Sequence, residues 1–249
     1  MKLDRSSSII IRGMKYLDFR LSDFFFKICV YLELPRFCAH ILCHIVKPLN
    51  GVKKYKVLCL GRSNFYDDIR ALVAFGDRIQ YLYFHKLYLG KIIRYFVPFK
   101  LDLSIIPGFE KQENLLTELL IDDGYTYHID PLYKNPRKKA NKFISKMLPI
   151  MKKKLGFDAV MSGNNIYIDQ QEFFILCEKN NIPPIILNKE GIGAKNMNPE
   201  GEWIEYGIRF IGAKMLFMNE NHMKYELKNL KGLNQDKAEL IGQARFDFY

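Results

Sequence analysis

Several features that would fix a function at once are missing from this chain. Among its 249 residues there are one tryptophan and five cysteines, and no two cysteines form a C-x-x-C pair. Cys29, Cys38, Cys43, Cys59 and Cys177 are odd in number, which excludes a fully paired disulfide framework. Cys59 and Cys177 stand inside apolar runs, so buried free thiols and a reducing compartment are expected. No apolar run approaches the ~20 residues that a membrane-spanning helix needs. The longest near the start, Phe24 to Leu34, carries Lys27 and Glu33 and stops at Pro35. Met1 to Arg12 is polar, then briefly apolar at Ile9, Ile10 and Ile11, then basic, with no small-residue cleavage site. The protein is therefore expected to be cytoplasmic, with peripheral contact at the inner membrane as the membrane role left open.

Motifs with a known chemistry are also scarce. There is no P-loop, no HExxH, no G-x-G-x-x-G and no Ser-His-Asp order. No short-period repeat is present, which excludes a solenoid. Cys38, His40, Cys43 and His44 make a C-x-H-x-x-C-H cluster. The segment reads as a helix, however, and zinc ligands usually converge from a turn. No metal and no organic cofactor are expected.

What is present is core material and positive charge. The chain is 49% hydrophobic and 14% aromatic, with a formal net charge of +11. That surplus suits anionic partners, whether phosphorylated substrates, acidic lipids or nucleic acid, and it is equally the mark of a solvated lysine-rich surface. The basic residues are spread out and no nucleic-acid motif accompanies them, so no specific nucleic-acid partner is expected.

Residues 1–50 read as an amphipathic helical segment and residues 51–249 as a Rossmann-like α/β unit, a parallel sheet flanked by helices. In the first part, Pro35 divides two helices, and Leu34, Phe37, Ile41, Leu42 and Ile45 give the second an apolar face. That segment is either a basic lip for anionic lipid or a helical pair packed on the main domain; the packed pair is the favoured reading. After a linker at Gly51 to Lys54 come a strand (Tyr55 to Leu60), a loop (Gly61 to Asn64), a helix (Phe65 to Phe75) and a strand (Arg78 to Tyr83), a parallel crossover unit. Residues 84–156 are less regular. Short helices are expected over Glu113 to Leu120 and Asn141 to Leu155, the latter with Pro149 as a kink risk. Order returns with strands at Asp158 to Met161, Pro184 to Leu187, Lys214 to Met218 and Ala238 to Ile241. Helices are expected over Asp169 to Asn180 and from Asn219 to about Leu230.

Four loops follow strands and so open on one sheet edge, where open α/β sheets bind ligands. Gly61-Arg62-Ser63-Asn64 offers a helix N-terminus and a guanidinium to an anion; it is equally an ordinary strand-to-helix turn. Ser162-Gly163-Asn164-Asn165 brings amides suited to sugar or polyol hydroxyls, and also to helix capping. Asn188-Lys189-Glu190-Gly191 sets a carboxylate beside a charged partner, as a general base requires, although a surface ion pair has the same letters. Asn219-Glu220 opens a helix and reads first as a cap. Asp123, His128 and Asp130 could make an acid/base cluster, but Asp-Asp-Gly is usually a turn.

The runs FDAVMSGNNIYIDQQEFFILCEKNNIPPIILNKEGIG (157–193), AKMLFMNENHMKYELKNL (213–230) and AELIGQARFD (238–247) together resemble the N-terminal lobe of GT-B-type glycosyltransferases. The nearest groups are those of bacterial surface and capsular polysaccharide synthesis, Kdo-transferase-like or CDP-glycerol glycerophosphotransferase-like. The resemblance is loose over residues 55–83 and clearer over 157–247. It rests on Lys189-Glu190 after one strand, Asn219-Glu220 after a later one, and Gly242, Arg245 and Asp247 leading toward a second lobe. It implies an inverting transfer from a nucleotide-sugar or CDP-polyol donor to a glycan or lipid-linked acceptor. Lobe one would hold the acceptor, with Glu190 as base and Lys189, Arg62, Ser63, Asn64, Asn164 and Glu220 as substrate contacts. The nucleotide-binding lobe is not among these residues. The alternative is a non-catalytic Rossmann-like module that binds a protein partner or an anionic polymer.

Overall fold

The structure is a computed structural model that describes residues 21–61, 63–85, 87–96, 131–163, 168–188 and 210–242. Its elements, in chain order, are α1 (21–31), α2 (Pro35–Ile45), β1 (Lys47–Pro48), β2 (Tyr55–Gly61), α3 (Ser63–Phe75), β3 (Ile79–His85), α4 (Leu87–Arg94) and α5 (Pro131–Leu155). Then follow β4 (Ala159–Ser162), α6 (Ile168–Lys179), β5 (Pro184–Leu187), β6 (Lys214–Phe217), α7 (Glu220–Asn229) and β7 (Ala238–Leu240).

The seven strands form one sheet in the order β1-β3-β2-β4-β5-β6-β7. Every pairing is parallel except that of β1 with β3. Parallel strands covered on both faces read as continuous apolar runs rather than alternating ones. Val57-Leu58-Cys59-Leu60 in β2 and Ala159-Val160-Met161 in β4 are such runs, and all are buried. The start of β4 is tied to β2 by Asp158. Its N–H donates to the Lys56 carbonyl at 2.7 Å, and its carboxylate accepts the Lys56 N–H at 2.8 Å.

The chain reverses direction across this sheet. From β2 it steps one way to β3; β4, β5, β6 and β7 step the other way. Right-handed crossovers then demand helices on opposite faces for the two directions. The packing obeys this. α3 lies over Val57, Cys59, Tyr81 and Met161. On the other face, α4, α5 and α6 cover Leu58, Leu82 and Val160, and Leu230, at the end of α7, joins the same core. Phe26 and Cys29 of α1 and Cys38 and Leu42 of α2 belong to that larger core as well. The helical pair is thus packed on the sheet domain.

Several boundaries differ from the sequence expectation, each for a physical reason. α3 begins at Ser63 rather than Phe65, because Ser63 and Asn64 take up the first helical turn. The strand before it extends to Gly61, so the expected four-residue loop is shorter. α5 starts at Pro131, ten residues before the expected Asn141, with its proline in the first turn where a missing N–H costs nothing. It also runs on through Pro149. Pro149 is solvent-exposed, so water can satisfy the carbonyl that loses its helical partner. α4 and β1 were not anticipated. β1 is a two-residue edge strand containing Pro48, which an edge tolerates. Asn50 prolongs it, accepting from the Tyr81 N–H at 2.9 Å and donating to the Ile79 carbonyl at 2.8 Å. The helix expected over Glu113 to Leu120 and the Asp123–Asp130 cluster lie outside the described residues.

The thiols behave as their apolar surroundings imply. All five cysteines are free, and four are buried. Cys38 points into the core onto Cys29, whereas His40, two residues on, is exposed. The Cys/His letters on α2 therefore face different sides. No group of three His, Cys, Asp or Glu among the described residues is placed to hold a metal ion. No described helix is long and apolar enough to cross a membrane.

Candidate functional site

The reversal of strand order falls between β2 and β4. In open α/β sheets the crevice at such a switch point, beyond the carboxyl ends of the strands, is where ligands bind. Here the two strands end level with one another, Leu60 beside Ser162. Two glycines follow, and each has an aromatic ring where a side chain would be. A Cβ on Gly61 would lie 2.0 Å from the Tyr83 ring, and one on Gly163 would lie 2.9 Å from the ring of Phe65. A side chain at either position would have to displace that ring. Ser162 and Phe65 are fully buried beneath them. α3 begins two residues after β2 ends, so the unpaired N–H groups of its first turn open at this edge.

The other strand ends share the edge because the strands are parallel. Asn188 follows β5 and is buried, its N–H donating to the Leu216 carbonyl at 2.9 Å. Asn219 follows β6 and caps α7, its side chain accepting the His222 N–H at 2.7 Å. Glu220 is exposed and pairs with Lys224 at 2.7 Å. The Lys224 ammonium, by hydrogen bond and charge, holds the Glu220 carboxyl below its ordinary range.

Of the residues expected to bind or react, Arg62, Asn164, Lys189 and Glu190 lie outside the described residues. For Ser63 and Asn64 the backbone is described, at the start of α3. The structure thus brings the Gly61 and Gly163 turns together at the switch point. Asn188 and Asn219 stand on the same edge, one and two strands further along.

Sequence reasoning missed an aromatic group on this edge. His85 ends β3 and stands beside Gly61 in register. The Tyr83 and His85 rings are 6.5 Å apart, His85 and Tyr88 are 6.4 Å apart, and Tyr66 meets Tyr83 edge-on at 5.2 Å. Burial, with smaller contributions from Tyr66, Cys59 and Tyr88, pushes the Tyr83 phenol up, so it remains a neutral hydrogen-bonding group. Such a surface offers ring faces to a sugar or base, with an imidazole beside them. The signal was legible: Tyr81, Tyr83 and His85 alternate with period two, and carrying the strand two residues past Tyr83 would have reached His85. Asp68 was missed as well. It is fully buried on α3, three residues after Phe65 and so on the same side of the helix. An acid inside the apolar stripe of Phe65, Ile69 and Leu72 was the available clue.

The arrangement defines a class: a Rossmann-like α/β domain whose strand order reverses at the β2/β4 switch point, the candidate ligand edge. The chain matches no protein-family model, no curated protein sequence and no solved structure.

Proposed function

We propose that this chain is the acceptor-binding lobe of a group transferase of the GT-B kind, a glycosyltransferase or glycerophosphotransferase of surface-polysaccharide assembly. The observation that supports this most is the switch-point crevice, where glycine turns after β2 and β4 meet at the edge shared by the β5 and β6 loops. A polyhydroxylated acceptor suits this edge. Amides at Asn64 and Asn164 bond its hydroxyls, Arg62 and Lys189 meet its anionic groups, and Tyr66 and Tyr83 offer ring faces. In the reaction, Glu190 takes the proton of the acceptor hydroxyl as that oxygen bonds to the donor. The activating nucleotide, held by a second lobe, leaves with the electron pair of the broken bond. Glu220 marks the outer rim.

The test is in two parts. Titration of the chain with a phosphorylated or acidic glycan acceptor should give saturable binding, weakened about tenfold by Arg62→Ala or Asn164→Ala, the loss of roughly one good polar contact. With a donor-binding lobe supplied, Glu190→Ala should leave acceptor binding in place and lower turnover about 10²–10⁴-fold. Unchanged turnover removes Glu190 as the base. Binding without turnover in the wild type identifies a non-catalytic binding module instead.

A further inference from the structure

We infer that the outer face of the α1–α2 pair, with the adjoining surface of α5, is a docking surface for an anionic lipid bilayer. Seven of the twelve large hydrophobic side chains left exposed among the described residues fall between Leu21 and Phe37. That density, in seventeen consecutive residues, is not the scatter of single apolar residues found on any surface. Phe24 is 60% exposed, Tyr31 86% and Phe37 51%. The opposite side of the same helices, with Phe26, Cys29 and Leu42, already fills the core. The pair is therefore apolar on both sides, and packing among the described residues accounts for only one.

The chemistry of the surroundings selects the occupant. Between α2 and α5 runs an open groove of about 1150 Å³, floored by Leu34, Phe37, Pro149 and Ile150. Its rim carries Arg36, Lys146, Lys153 and Lys154 against a single acid, Glu33. None of the four cations is ion-paired with a described carboxylate. Exposed aromatic side chains flanked by cations that pair with no described carboxylate match the order of a bilayer surface, where rings enter the acyl boundary and lysines extend to lipid phosphates. A proteinaceous groove partner would need carboxylates at matching points; a bilayer presents phosphate everywhere, at a negative surface potential. This surface is independent of the sheet-edge reading and stands or falls separately.

Co-sedimentation of the chain with vesicles decides it. Vesicles of phosphatidylcholine with about one-third phosphatidylglycerol should pellet the protein at low salt, high salt should release much of it, and phosphatidylcholine alone should bind at least tenfold less. Lys153→Glu with Lys154→Glu, and separately Phe24→Ser with Phe37→Ser, should each weaken binding about tenfold or more. Their circular dichroism and melting should stay as wild type, because these side chains are outside the core. Lys228→Glu with Lys231→Glu, exposed and away from the groove, should bind nearly as wild type. Equal loss in that control would reduce the effect to net charge and overturn the proposal. So would absence of pelleting at low salt, or equal binding to both vesicles. A dimer in sedimentation velocity that Phe37→Ser dissolves would make the occupant a second copy, and would overturn it too.

Discussion

α6 and α2 are nearly equal in length, 12 and 11 residues, and they meet opposite surroundings. α6 lies on β4 and β5 with α4 and α5 packed against it, and every residue from Gln170 to Cys177 is buried. Its sequence has no amphipathic stripe, because none of those eight residues faces solvent. α2 has a strong stripe and buries Pro35, Cys38, Ala39 and Leu42, yet leaves Phe37 outside. The lesson concerns what a pattern can report. Periodicity records a one-sided environment, so a helix covered on two sides erases it. A large apolar residue off the stripe marks a second surface.

The sharpest way to break this comparison is to remove one aromatic from each helix. Phe174→Ala in α6 empties a fully buried site and should cost about 3–5 kcal/mol, enough to unfold a marginal domain. Phe37→Ala in α2 should change stability by less than about 0.5 kcal/mol. Urea midpoints measure both. A comparable loss at Phe37 would mean that α2 buries that ring after all.

Next in size is an alkaline effect that separates the thiols of the two helices. Burial pushes Cys177 on α6 and Cys59 on β2 well up. Cys43 on α2 is also raised by partial burial, while nearby Lys154 pulls it back. With a raised folded pKa, the native state keeps its proton where the unfolded thiol, near about 8.5, releases it. Stability is therefore fully present below that value and falls as pH rises through it. At about pH 9.5, Cys59 and Cys177 should together remove about 3 kcal/mol. Tyr81, pushed to about 12 by burial and then by Cys59, should add to the loss once pH passes the ordinary tyrosine value. Unfolding midpoints from neutral to alkaline pH test this, and Cys59→Ala with Cys177→Ala should flatten the decline. Under native conditions Cys43 should react with a thiol reagent before the four buried cysteines.

A smaller effect tests how α6 carries polar residues in a two-sided environment. Glu172 is fully buried, and the Asn141 side-chain amide on α5 donates to its carboxylate. Asn141→Leu should cost about 1–3 kcal/mol, the penalty of removing a donor from a buried acceptor. The same change at an exposed position of α5, Lys142→Leu, should be close to neutral. A neutral Asn141→Leu would mean that other partners satisfy Glu172 without it.

How much of this was legible in the sequence follows the same division. β5 was read to the residue, and β4, β6 and β7 within a residue or so, because each is a short apolar run between turn residues. α6, expected over Asp169 to Asn180, was placed within one residue at each end. α4 was missed: Leu87–Arg94 is eight residues with no cap signal, and Lys86 and Lys91 broke the apolar pattern. The edge as a candidate ligand site was readable from strand-then-loop order alone. The His85 and Tyr83 surface was not found, because the strand was ended at Tyr83. Which strands neighbour one another, and so where the switch point lies, is a tertiary fact that no local pattern encodes.

The smallest difference lies in how the two regions end a helix. α1 and α6 stop with one hydrogen-bond scheme. Leu34 N–H reaches back to the Cys29 carbonyl at 2.7 Å, and Ile182 N–H to the Cys177 carbonyl at 2.9 Å. Both schemes require the preceding residue to be left-handed, at φ 50° for Glu33 and 54° for Asn181. Asparagine tolerates that region, whereas glutamate pays a steric cost that glycine avoids. Glu33→Gly should therefore raise stability by about 0.5–1 kcal/mol, and Asn181→Gly by a few tenths at most. Melting curves resolve the pair. Glu33 is also the lone acid on the basic groove, so Glu33→Gly should tighten binding to anionic vesicles while Asn181→Gly leaves it unchanged. A stabilised Glu33→Gly with unchanged vesicle binding would confine Glu33 to ending its helix and would weaken the electrostatic part of the docking argument.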